Sequence, residues 1–589
     1  SQRGEDSENL TQLVDGLLEP TTEGTLAPGL AEEWGSEDQG KTWTFKLREG
    51  VKWVDMNGNE KAEVTSEDFA TGLEWVLNFY KNDSSNTSMP LEMIEGAEEY
   101  YEYTKTLSKE EAYALTADEG SKFRETVGIE TPDEYTVVYT CLAEKLYFDT
   151  LATYQSLYPM SKAMIEELGG IDATKAMNNE TMWYNGPYTM TSYIQGNEKI
   201  FTKNPLYWDT ECTLFDTVTI KMVESTDIAF QLYQAGELDY VALTESNLTT
   251  IYNDENNEFH DYLVEKLPTK YSWQIHFNFA KNNEDGTPDN NWNLAVANEA
   301  FRLSWYYGLD LKEYYSRLNA INPMSCENNA YTMKGLVYTS DGTDYADLVK
   351  EELGIQENGE TLARLDADKA EQYKQQAIEE LTAAGVTFPI GIDYYISASN
   401  QTALDSANVF KQCFIDSFGE DYVQLNIKTY VSSATQEVYT PRLHSIALTG
   451  WGADYGDPQN YLGQETYGND NAYYTVLVSN ANDLEDNEQN KAVLGLYKEF
   501  TALVEAADAI SEKDARYAAY AKAEAFLLDH AMNIPVYHDI GWVLTKINPY
   551  SKMNAVYGIQ NWKIKNWETN SDGYSTELLA EDIAAHKSK

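Results

Sequence analysis

A chain of 589 residues with 42% hydrophobic and 24% charged side chains is long enough for several domains or lobes, and no run of about 18 apolar residues in it could cross a bilayer. Its 42 lysines and arginines against 97 aspartates and glutamates give a net charge of −55, which repels phosphate backbones and anionic lipid surfaces and argues against nucleic acid as a partner.

The first clear elements are strands. KTWTFKLREGVKW from Lys41 alternates apolar and polar positions, and DMNGN at 55–59 supplies an Asn-Gly turn for a hairpin. Thr65 then caps a helix in TSEDFATGLEWVLNF, with acidic residues in its first turn. IETPDEYTVVYTC (129–141) alternates again, and YNGPYTMTSYIQGNEKIFTK (184–203) reads as two strands about a Gly-Asn turn. FDTVTIKM (215–222) is a strand, followed by a helix ended by Gly236 and a further strand.

From residue 365 amphipathic helices alternate with strands: DADKAEQYKQQAIEELTAAG, FPIGIDYYIS, NQTALDSANVFKQCFIDSFG and YVQLNIKTYV. Such βα alternation predicts a mostly parallel sheet flanked by helices. SATQEVYTPRL is a short helix candidate, HSIALTG a short strand ending at Gly450, and two long helices precede the strand NIPVYHD. Ligands of open α/β sheets sit beyond the carboxyl ends of strands, which directs attention to TGWGADYGDPQNYLG at 449–463.

Catalytic signatures are missing: the chain has no HExxH, GxSxG, P-loop or dinucleotide fingerprint. Its six histidines are scattered, and Cys141, Cys212, Cys326 and Cys413 have no metal-like or redox spacing. DENNEFHD and NEDGTPDN are oxygen-rich but lack EF-hand offsets and read as solvated loops. No cofactor or metal is expected. The 44 tyrosines, 13 tryptophans and 18 phenylalanines suit wide, adaptable binding surfaces, although most belong to packing.

LTQLVDGLLEPTTEGTLAPGLAEEW, KTWTFKLREGVKW, VTSEDF, YNGPYTMTSYIQGNEKIFTKNPLYWD, FRLSWYYGLDLKEY and GWGADYGDPQNYL together resemble the oligopeptide-binding proteins, the extracytoplasmic receptors of ABC-type peptide importers in solute-binding family 5. The matches follow family order over some 540 of the 589 residues. The resemblance implies an α/β, periplasmic-binding-protein-like fold of two lobes closing like a clamshell, with an additional domain and mixed sheets flanked by helices. It assigns residues 1–15, 160–270 and 550–589 to lobe I, 16–159 to an extra domain packed on it, and 271–549 to lobe II. The implied function is capture of oligopeptides and their delivery to an ABC transporter permease, by a monomer that is no enzyme. It stands outside the membrane, as a cell-surface lipoprotein or in a periplasm, with any lipid anchor ahead of the sequence.

The resemblance carries the ammonium-binding aspartate onto Asp454. The chemistry agrees, because a receptor tolerant of many side chains must recognise what all peptides share, the ammonium and the backbone. Gly450, Trp451 and Gly452 are expected to pair with the ligand as an added strand, the glycines permitting close approach. Tyr455, Tyr271 and Trp273 are aromatic cleft candidates, and Arg317 is a candidate partner for the ligand's C-terminus. Two departures stand out: Leu448 lies near where some members carry a basic residue, and the family's first strand is absent or reduced to SQRGEDSEN. That opening suits a processed chain as well as a cytosolic one. A receptor of the same fold for a cellobiose-like oligosaccharide or another small solute is the alternative, and a glycoside hydrolase, which needs two carboxylates facing across a cleft, is the enzyme reading to be tested.

Overall fold

The structure is a computed structural model and describes residues 4–82, 88–266 and 269–587. The outer ends of the expected lobe I, residues 1–3 and 588–589, its residues 267–268, and residues 83–87 of the expected extra domain lie outside them. What is described of SQRGEDSEN is no strand: Gly4–Leu13 is helical.

The amino-terminal part is built on a four-stranded antiparallel sheet, in the order Ala31–Gly35, Thr42–Leu47, Thr136–Thr140, Ile129–Asp133. The Asn-Gly hairpin pairs Lys52–Val54 with Glu60–Glu63. Thr65 begins the helix Ser66–Leu77 with a capping box shared with Asp68, satisfying two backbone donors that the helix end leaves open. A second antiparallel sheet orders Thr217–Lys221, Glu198–Lys203, Tyr188–Ile194. A third orders Tyr240–Ala242, Trp542–Thr545, Val264–Glu265.

The largest sheet runs Val423–Tyr430, Ile390–Ser397, Ile446–Gly452, Tyr271–Phe277, Asn533–His538. It is mixed, where the βα alternation predicts mostly parallel strands. Ile390–Ser397 is parallel to Val423–Tyr430, but Tyr271–Phe277 is antiparallel to both its neighbours. The reason is its origin, since five residues separate Val264–Glu265 of the third sheet from Tyr271–Phe277, too few for the crossover that parallel strands need. The chain returns the same way, from Asn533–His538 to Trp542–Thr545, and the two crossings are joined by Lys266 N–H donating to Gly541 O at 2.8 Å.

Two large cores follow. One gathers Phe45, Leu73, Tyr139, Tyr184 and Phe201 with Tyr455, Ile559 and Ile564 from far along the chain. The other packs Ile275, Phe277, Trp305, Phe414 and Ile534 across the large sheet and its helices. A buried ion network ties three distant segments. Lys563 meets Asp15 and Glu19, each at 2.8 Å, and Lys565 meets Glu19 at 2.6 Å and Asp209 at 2.8 Å. Tyr207 Oη and Trp208 Nε1 donate to Asp15 at 2.9 and 2.6 Å. Burial lowers the proton affinity of Lys563, but Asp15 and Glu19 outweigh it and the ammonium is held well above the usual lysine range.

Candidate functional site

The strand Ile446–Gly452 pairs along its whole length with Tyr271–Phe277, but with Ile390–Ser397 only at Ile446. Among the described residues its second edge has no strand partner from Ala447 to Gly452, although Trp451 O accepts from Tyr461 Oη at 3.0 Å, and the edge can take an added strand. Just beyond it, Ala453 O accepts from Gly558 N–H at 2.9 Å, bringing the carboxyl-terminal segment onto the loop.

Asp454 follows, 9% exposed. Its backbone N–H donates to Asn460 Oδ1 at 3.0 Å, and the same oxygen accepts from Trp451 Nε1 at 2.8 Å. One side chain thus fixes both ends of the Trp451–Asp454 turn. Burial raises the Asp454 carboxyl above the usual carboxylate range, against the field of Lys270 and hydrogen bonds from Tyr154 and Asn460. Lys270 acts at a distance. Among the described residues no lysine or arginine pairs with Asp454 within 4.0 Å, and Lys270 Nζ instead donates to Gly558 O at 2.5 Å. Burial pushes the Lys270 ammonium down to about 8, partly offset by Asp454. Asp454 is a desolvated anion with no ion-pair partner in contact, suited to an incoming cation.

The expected site residues are only partly brought together. Gly450 and Gly452 do permit a close approach, but of this chain's own side chains. A Cβ on Gly450 would lie 2.8 Å from the Trp273 ring and 3.1 Å from Ser272 O, and one on Gly452 would lie 2.9 Å from Lys270 and Tyr271. Glycine is required by the neighbouring strand, and the ligand role is left to the backbone edge. Gly450→Val is expected to lower stability by about 1–3 kcal/mol through overpacking, read as a shift in the denaturant midpoint.

Trp273 stacks on Tyr537 with centroids 5.3 Å apart, and Trp451 tilts against Tyr473 at 6.1 Å. Tyr455 is fully buried, stacked on Tyr147 at 5.3 Å with its hydroxyl bonded to Gln459, so packing takes up the ring expected to line the cleft. Arg317 stands apart from this group, its guanidinium paired with Glu245. Its charge is already met by Glu245, so contact with a ligand's C-terminus would have to share or displace that pair.

Sequence reasoning missed Asn460, Tyr154, Lys270 and Glu92. Asn460 lies within the quoted loop, but only the folded turn shows what it braces. Glu92 is pushed up to about 7, by burial first, with Lys145 opposing and Asp454 and Asp508 adding to the rise. Asp457, three residues beyond Asp454, is the anchored carboxylate of the loop. Arg516 grips it with Nε and Nη2, each at 2.9 Å, and Nη2 also reaches Asp508 at 2.8 Å. Lys145 meets Asp508 at 3.2 Å, and Gly456 N–H donates to Thr150 Oγ1 at 2.9 Å. Among the described residues no group of three histidine, cysteine, aspartate or glutamate side chains is arranged to hold a metal ion.

Residues 25–473 match the family model described as bacterial extracellular solute-binding proteins, family 5 Middle. The oligopeptide-binding protein AmiA of Streptococcus pneumoniae is 27% identical over 608 aligned positions, covering 98% of this chain and 86% of its own length. Among solved structures, the substrate-binding domain of an oligopeptide ABC transporter from Bacillus anthracis superposes with a TM-score of 0.67 at 20% identity, covering 98% of this chain and 95% of that one. Listeria monocytogenes OppA bound to peptide gives 0.68 at 18% identity, covering 97% and 96%. The fold is the two-lobe α/β fold of these binding proteins.

Proposed function

We propose, since this chain belongs to family 5 of the bacterial extracellular solute-binding proteins, that it captures oligopeptides between two lobes outside the membrane and delivers them unchanged to an ABC-type permease. The observation that carries this reading is Asp454, a buried carboxylate without an ion-pair partner in contact, at the end of a strand whose edge is open. The peptide's ammonium meets Asp454 and its backbone adds to the Ala447–Gly452 edge. Residues 271–549 form one lobe, and the amino-terminal, middle and carboxyl-terminal parts form the other with its extra domain. Closure is selected by the ligand because both halves contribute contacts to it. A monomer held outside the membrane, by a lipid anchor or within a periplasm, completes the reading.

Calorimetric titration tests it. A micromolar ligand corresponds to about 8 kcal/mol. Asp454→Asn is expected to weaken free-amine peptides roughly 10- to 100-fold, the worth of a charge-assisted hydrogen bond, and to leave N-acetylated peptides where they are. Equal binding of both peptide forms by the unsubstituted protein would sink the assignment. The pH dependence has a definite sign. The free protein holds the Asp454 proton more tightly than an ordinary carboxyl, and the ammonium needs the ion, so affinity falls as pH drops through that raised value, at milder acidity than for an exposed aspartate. Lys270, Tyr154 and Asn460 face the group and set how far the value rises.

A further inference from the structure

One short stretch of the extra domain proposed for residues 16–159 reaches the ligand loop. Its residues 144–154 touch both the loop that carries Asp454 and the turn between the helices Lys491–Asp508 and Lys513–Asp529. Loop and turn both belong to the 271–549 half, so on the two-lobe reading these contacts cross between the parts that closure moves against each other.

The stretch is fixed on its own side. Trp43 Nε1, from the strand Thr42–Leu47, donates to Lys145 O at 3.1 Å, and Lys145 N–H donates to Gly40 O at 3.2 Å. Gly40 has φ +86°, and a Cβ there would lie 2.6 Å from Lys145 O, so only glycine lets the two backbones come this close. Toward the other half the contacts are of three kinds. Lys145 Nζ reaches Asp508 at 3.2 Å, and Ser511 Oγ donates to Glu144 at 2.6 Å. Tyr147 stacks on Tyr455, 10° from parallel, and both rings are buried in the core that holds Phe45 and Tyr139. Thr150 Oγ1 accepts from Gly456 N–H at 2.9 Å, and Tyr154 is hydrogen-bonded to Asp454 itself. Asp508 is shared between Lys145 and Arg516. Burial raises its carboxyl, but the two cations outweigh burial and hold it below the usual carboxylate range. Opening would draw Tyr455 out of an apolar core and part Lys145 from Asp508, so these contacts favour the shut form.

We propose that residues 144–154 are a catch by which the extra domain holds the receptor shut, gripping the ligand loop directly, and that release of this catch sets how fast a bound peptide leaves. The inference rests on the peptide and two-lobe reading, and gives a task to a domain that this reading leaves as packing. Lys145, Tyr147 and Thr150 are positioning residues: they act through Asp508, Tyr455 and Gly456 and touch no ligand. The loop that meets the ammonium through Asp454 is held by the extra domain at the next two residues. A ligand that seats Asp454 therefore also seats the catch.

Stopped-flow release of a free-amine pentapeptide with a carboxyl-terminal fluorophore tests this on the full chain. Lys145→Gln is expected to speed release about 3- to 10-fold, the worth of a partly buried ion pair, and to leave the association rate unchanged, since such changes act mainly on dissociation. Tyr147→Ser is expected to speed release further. Thr150→Val removes a single hydroxyl, is expected to speed release about 3-fold, and keeps the test open if the other variants do not fold. The preference for free-amine over N-acetylated peptide is expected to survive in all three. An unchanged release rate in the folded variants overturns the proposal. Loss of the free-amine preference overturns it as well, because the segment would then only prop Asp454 in place. Small-angle scattering separates the two failures. If peptide compacts the unsubstituted protein while the variants release it no faster, the two-lobe reading stands and the catch falls. If peptide causes no compaction, closure itself falls and the catch goes with it.

Discussion

Lys563→Met is expected to destabilise the protein by about 3–5 kcal/mol, because removing one member of a buried ion network leaves its partners desolvated and unmatched. Asp15 and Glu19 both meet Lys563 at 2.8 Å, and all three are nearly or fully buried. Their segments lie more than 500 residues apart in sequence, so the loss falls on the closure of the chain's two ends. Unfolding in urea followed by tryptophan fluorescence reads it, and adding Asp15→Asn to the variant is expected to recover part of the loss, since Asp15 loses its ion-pair partner while Glu19 keeps Lys565. The folded state holds the Lys563 proton more tightly than the unfolded chain does. Its contribution is therefore complete below the ordinary lysine range and is lost only as pH rises through the higher folded value. An unchanged denaturant midpoint for Lys563→Met would remove the network from any account of stability.

Arg516→Met is the second large effect, and it couples stability to binding. The guanidinium fork makes two 2.9 Å bonds to Asp457 and one of 2.8 Å to Asp508. Burial raises the Asp457 carboxyl and Arg516 opposes the rise, so without Arg516 the carboxyl must be left as an unmatched ion or take up a proton. A loss of about 3–5 kcal/mol is expected. Because Asp457 anchors the turn that carries Asp454, peptide affinity is expected to fall with it. Arg516→Lys keeps the charge but cannot reproduce the fork, and is expected to fall between the two on both measurements. Affinity untouched in a folded Arg516→Met protein would show that the loop holds its position without this clamp.

The contrast between these networks and the readable parts of the sequence is physical. Thr65 and its capping box, the Asn-Gly hairpin and the helix stop at Gly236 rest on interactions spanning a few residues, and local spacing announces them. Asp454 could be singled out because its motif sits beside it. Lys270, Asn460 and Tyr154 could not, because what each does depends on a partner brought near only by folding. The large sheet shows the same division. Its parallel half follows from βα alternation, whereas the antiparallel Tyr271–Phe277 strand comes from a crossing that no periodicity marks. Gly450 and Gly452 make room for Trp273, Lys270 and Tyr271 of the neighbouring strand, a need for space that the sequence can signal without showing which side chains fill it.

The paired crossings at Lys266 and Gly541 have a mechanical consequence. A double ribbon bonded across its width flexes easily about the axis perpendicular to its strands and resists wringing or sliding, because those motions stretch the cross-link. On the proposed reading, in which residues 271–549 form one lobe, such a cross-link would hold opening and closing to a single arc and return the same surfaces to face one another.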